Sequence, residues 1–139
     1  MTDTDSLGDR MKAHERITKT TLPRRTYTLI RADGRAFHTY LRGADKPFDY
    51  VFMDDMAHIA KVLCEEISGA VFAYTQSDEI SVLVTDFASP GTQPWFGGEV
   101  QKIVSTVAAT ATMALCERRP KQVAGSYVRN SPILIMMQT

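Results

Sequence analysis

The sequence is short of the residues that usually announce a chemistry. Among 139 residues there are two cysteines and three histidines. Cys64 and Cys116 stand far apart at no metal-ligand spacing, inside apolar helical patterns where a free thiol behaves as a small hydrophobe. Both are expected to be buried and unreactive, which suits a reducing compartment. No second histidine stands at ligand spacing from His38, so both a hydrogen-bonded structural role and a catalytic one remain open for it. Net charge is also missing, because 16 basic and 16 acidic side chains cancel. Charge therefore neither demands nor excludes a polyanionic partner, and local basic patches can still supply one. No apolar run approaches the roughly 20 residues needed to span a bilayer, and the first stretch, MTDTDSLGDRMKAHE, is polar and acidic. The expectation is a soluble, cytoplasmic protein with no membrane partner. No internal repeat or low-complexity tract breaks the chain, so residues 1–139 read as one domain.

What is present is a regular alternation of elements. Arg10 to Arg25 is rich in Arg, Lys and Thr, and Pro23 disfavours helix at Leu22. The β-branched and aromatic run Thr26 to Ala32 predicts a first strand, which ends in the turn pair Asp33-Gly34. Between Pro47 and Gly69, Asp49 is a plausible N-cap, and Met53, Met56, Ala60, Leu63, Cys64 and Ile67 recur at helical steps. Gly69 is placed to stop that helix. The runs AVFAYT and ISVLVT, separated by QSDE, have the spacing of an antiparallel hairpin. After the loop ASPGTQP, the segment from Trp95 to Arg119 shows helical spacing, with Pro120 closing it. Order and type together predict an α+β domain, the ferredoxin-like βαββαβ unit, and the one remaining candidate for the fourth strand is PILIMM, Pro132 to Met137.

In such a sheet the first and third strands lie side by side at the centre. The end of strand one, Asp33, then comes near the turn that carries Ser77, Asp78 and Glu79. Two facing carboxylates repel unless a cation lies between them, and the simplest candidate is Mg²⁺, which takes oxygen ligands from carboxylates and substrate phosphates. Two such ions suit phosphoryl or nucleotidyl transfer. Gly34 lacks a Cβ, so a phosphate or metal can approach its backbone and its carbonyl can serve as a ligand. The amides of Arg35, Ala36, Phe37 and His38 can cradle a triphosphate, and Ser77 can add a hydroxyl. Each piece also has a plainer reading: Asp-Gly as a turn, QSDE as a solvated hairpin tip, and the cations Arg10, Lys12, Arg16, Lys19, Arg24 and Arg25 as a solvated face rather than a phosphate-binding stripe.

The joint occurrence of RADGRAFHTYLRG followed by KPFD, then AYTQSDEISVLV, then WFGGEVQKIVSTVAATAT resembles the tRNA(His) guanylyltransferase family and its relatives, enzymes that add nucleotides in the 3′-to-5′ direction. MKAHE and LPRRTYTLI extend the likeness, which covers roughly residues 11–118. The resemblance implies a catalytic domain like a polymerase palm. It implies that Asp33 and Asp78 are metal-bridging carboxylates with Gly34 as a carbonyl ligand for two Mg²⁺ ions, and that Glu79 supports them. It further implies that Asp33 to His38, with Ser77 and Asp78, bind the GTP triphosphate, while Lys46 and Asp49 are associated with nucleotide activation; Lys102 is a further residue that can meet phosphate. The implied partners are GTP, ATP and tRNA, and the family's assembly implies a homo-oligomer. Residues 119–139 depart from the family pattern. A catalytically incomplete fragment that binds GTP and Mg²⁺, or an interaction module, is the alternative function. A nucleotide cyclase-like palm shares the metal geometry without these motifs.

Overall fold

Strand alternation sets the architecture. In the computed structural model, which describes residues 6–118 and 135–136, β1 runs from Thr28 to Gly34 and turns Ile30 and Ala32 inward while Leu29 and Arg31 face out. β2 (Ala70–Gln76) and β3 (Glu79–Val84) form the expected hairpin, and β3 turns Ile80, Val82 and Val84 inward. The inward residues meet two helices, α3 (Tyr50–Glu66) and α4 (Val100–Arg118), in one core. Two shorter helices were not expected: α1 (Leu7–Arg16), and α2 (Phe37–Tyr40) directly after β1. α1 buries none of its residues: its large apolar side chains, Leu7 and Met11, lie one turn apart and are both exposed, too short a stripe to mark a core-facing helix.

The sheet is antiparallel with strand order β2-β3-β1-β4, where β4 is the pair Ile135–Met136 lying against Asp33 and Gly34. This is the βαββαβ order anticipated, and the fourth strand comes from PILIMM. Pro132, Ile133, Leu134 and Met137 lie outside the described residues, as does the rest of the 119–139 segment.

Local chemistry explains the element ends. Asp49 caps α3 through Oδ1, which accepts the Phe52 amide at 2.9 Å. Gly69 ends α3 at φ +88, where an added Cβ would lie 2.2 Å from the Thr85 carbonyl oxygen. The second helix begins at Val100 rather than Trp95, because Phe96 and Gly97 adopt left-handed backbone and confine Trp95–Gly98 to a short 3₁₀ turn.

Three side-chain expectations need correction. Met53 is exposed, and the buried face of α3 is carried by Phe52, Met56, Ile59, Ala60 and Leu63. Cys116 is exposed and Cys64 is only half-buried, although burial, with the nearby Glu65 charge, pushes the Cys64 thiol up from its ordinary range. Arg118, at the end of α4, joins the two helices: its Nε donates to Oδ1 of fully buried Asp55 at 2.8 Å, and its Nη2 pairs with Asp54.

Candidate active site

The carboxylates meet where β1 ends and the β2–β3 hairpin turns. Gln76 and Glu79 close the hairpin, leaving Ser77 and Asp78 as a two-residue turn with Ser77 at φ 54. Asp33 is the register partner of Glu79, and the Gly34 amide donates to the Asp78 carbonyl at 3.0 Å. By alternation, Asp33 and Glu79 both project from the sheet face opposite the helices. Directly opposed residues in an antiparallel pair have Cβ atoms roughly 4.5–5.5 Å apart, and like charges at that spacing repel.

Arg31 answers part of that repulsion. It stands two residues before Asp33, on the same face, and its Nε lies 3.2 Å from Oε1 of Glu79. Sequence reasoning missed it, though the period of two in a strand is the signal that would have found it. With Arg31 holding Glu79, the other two carboxylates here, Asp33 and Asp78, form no ion pair among the described residues, and both are partly exposed.

Gly34 is required for a reason other than ligand approach. A Cβ there would sit 2.3 Å from Cδ2 of Phe37, whose ring packs against it. Phe37 is itself only 3% exposed and stacks at tilted angles on Tyr40 and Phe52, with centroids 5.2 and 5.8 Å away. Its side chain belongs to the core, which leaves only its amide for a ligand. Ala36, at φ 58, turns the chain from β1 into α2. As the first N–H groups of α2, the Phe37 and His38 amides have no acceptor within the helix. Arg35 and His38 are exposed beside them.

Lys46 and Asp49 lie in the connection from α2 to α3, at the same end of the sheet. Lys46 is exposed and forms no ion pair among the described residues. Asp49 already uses both carboxylate oxygens, Oδ1 on the Phe52 amide and Oδ2 on the Asp45 amide at 3.3 Å. Its visible work is capping.

The donors here are all oxygen, and one or two carboxylates completed by substrate phosphates are what Mg²⁺ ordinarily uses. Among the described residues no three His, Cys, Asp or Glu side chains cluster as a closed metal cage. A pair of carboxylates on an open sheet face fits an ion shared with a phosphate-bearing ligand.

A family model described as tRNAHis guanylyltransferase matches residues 8–134. The chain belongs to this family. The match runs past Arg118, the limit of the likeness read from the sequence, and takes in residues 119–134. A bacterial tRNA(His) guanylyltransferase-like protein in complex with ATP superposes with a TM-score of 0.85 at 36% identity, over 96% of this chain and 57% of that one. A second structure of that description, in complex with GTP, gives a TM-score of 0.83 at 37% identity, over 96% of this chain and 62% of the other. The tRNA(His) guanylyltransferase of Schizosaccharomyces pombe is 33% identical over 113 residues, which are 80% of this chain and 41% of the yeast protein. The chain thus spans about three-fifths or less of the relatives it matches. Among the described residues, no helix is long and apolar enough to cross a membrane.

At the other end of β1, a cluster of buried carboxylate and cations organises the chain. Asp86, buried just beyond β3, accepts the Arg25 amide at 2.8 Å and the Arg24 Nε at 3.5 Å. The Arg25 amide foremost, then the Arg24 guanidinium, hold the Asp86 carboxyl below the usual carboxylate range against the cost of its burial. Arg24 and Arg25 also reach the carbonyls of Thr92 and Pro90, so these two cations tie down a loop.

Proposed function

We propose that the chain is a Mg²⁺-dependent nucleotidyltransferase that adds GTP-derived nucleotide to a tRNA 5′ end in the 3′-to-5′ direction, acting in the cytoplasm. The observation that carries this reading is the convergence of Asp33, Asp78 and Glu79 at one end of the central strands, beside the first amides of α2, which have no acceptor within the helix. The bound ATP and GTP of the two similar bacterial structures support nucleotide as the ligand.

Asp33 and Asp78, with the Gly34 carbonyl, would hold two Mg²⁺ ions. When bound, such ions stabilise charge on the attacking and leaving oxygens. The chain's own groups do the rest. Arg31 fixes Glu79 beside Asp33. The Phe37 and His38 amides donate toward the triphosphate, Arg35 and Lys46 offset its charge, and Ser77 contributes a hydroxyl. Asp49 acts by fixing the start of α3 and thereby the Lys46 segment.

A second reading is a fragment that binds GTP and Mg²⁺ without transferring, or that works within a homo-oligomer. It is favoured by the 57% and 62% coverage of the bacterial relatives. Incorporation of labelled GTP onto a 5′-activated tRNA by the purified chain separates the two. Mg²⁺-dependent incorporation that disappears in Asp78→Ala supports transfer; retained GTP binding with no incorporation supports the fragment.

A further inference from the structure

The basic stretch from Arg10 to Arg25 is a sequence feature that the carboxylate end leaves unused. The structure divides it. Arg24 and Arg25 serve Asp86, whereas Lys12, Arg16 and Lys19 face Lys102 of α4 across a cleft of about 610 Å³. Lys12 and Arg16 are exposed and form no ion pair among the described residues. Lys19 and Lys102 share Glu99, at 2.6 and 3.5 Å. With Glu15 also present, four cations meet two carboxylates, and the cleft is left positive.

Its position is fixed by the backbone. The Val100 amide donates to Thr20 at 3.0 Å and the Leu22 amide to Gly98 at 2.9 Å, which pins the segment after α1 to the start of α4. That is the Thr28 end of β1, opposite Asp33. Seven strand residues at about 3.3 Å each separate the two ends by roughly 20 Å.

We infer that this cleft is a second RNA contact, which grips backbone phosphates of the tRNA stem while its 5′ end lies at the carboxylates. The inference rests on the transferase reading for its choice of polyanion. Exposed ammonium and guanidinium groups around a wide, open cleft suit a run of phosphates better than one small anion, because each contact is weak and several add through counterion release. A duplex carries a phosphate roughly every 1.7 Å of its axis, so on the order of ten lie between the two sites. Contacts of this kind set register and carry no base sequence.

The test is the affinity of the full chain for an acceptor-stem RNA hairpin across a KCl series, beside the variant Lys12→Ala/Arg16→Ala. The variant is expected to bind about tenfold more weakly at 100 mM salt and to flatten the log–log salt slope by about 2. Its GTP·Mg²⁺ affinity and circular dichroism should match the parent. Unchanged RNA affinity and slope would overturn the inference. So would a variant that keeps its RNA affinity but loses binding to anionic lipid vesicles. The two readings fail separately: a parent chain without Mg²⁺-dependent GTP binding refutes the transferase, whereas an unchanged salt slope refutes the cleft.

Discussion

At the Asp33 end of β1 the chain is held by close packing, with the Phe37 ring against Gly34 and a hairpin of two residues; at the Thr28 end it is held by ion pairs, Asp86 with Arg24 and Glu99 with Lys19 and Lys102. The packed end leaves Asp33 and Asp78 without ion pairs among the described residues, while the ion-paired end matches Asp86 and Glu99 and leaves cations over. Rigid backbone can present unsatisfied charge to a ligand without moving, whereas paired side chains are adjustable and suit a partner read only by its charge.

The comparison can be broken most sharply at the packed end. Asp78→Ala or Asp33→Ala should abolish Mg²⁺-dependent GTP binding and incorporation while thermal melting stays near the parent's; parent-like binding in either variant would refute the site assignment. Arg118→Ala comes next. It withdraws the guanidinium from buried Asp55 and should cost about 3–5 kcal/mol in urea unfolding. Gly34→Ala forces a methyl into the Phe37 ring and should cost about 1–3 kcal/mol, with weakened GTP binding alongside; an equally stable variant would show that the ring yields freely.

A smaller effect sharpens the other end. The Arg25 amide with the Arg24 guanidinium, and the Lys19 hydrogen bond, hold Asp86 and Glu99 respectively below the ordinary carboxylate range. A depressed pKa means stabilisation that is fully present above the unfolded carboxylate pKa and fades as pH falls through the folded one. Melting temperature should therefore drop on acidification below that range, and Asp86→Asn should start lower at pH 7 and show a shallower acid decline. An unchanged acid limb in the variant would mean that Asp86 does not anchor this end.

Much of the fold was legible because periodicity and punctuation agree. Alternation marked β1 and the hairpin, Asp49 and Gly69 marked both ends of α3, and the element order left PILIMM as the one source of β4. The misses have physical causes. α1 buries nothing, and Leu7 and Met11 make too short a stripe to betray it. Gly34 reads as room for a ligand until Phe37, three residues on, folds back over it. Arg31 and Asp86 act through partners on other strands or loops, and pairings of that kind are set by tertiary structure rather than by local pattern. Of the site, Asp33 to His38, Lys46, Asp49 and Ser77 to Glu79 gather at one sheet end while Lys102 stands at the other, and Asp49 does a capping task that its sequence position also announced.

The single tryptophan, Trp95, sits at the ion-paired end, its ring 4.5 Å from that of Phe96 and beside Leu22 and Pro23. Intrinsic emission therefore watches one half of the molecule. RNA seated in the cleft should shift it, and GTP at the far end of β1 should leave it dark to the titration; a nucleotide-induced change in Trp95 emission would reveal that strain passes along β1 from one end to the other.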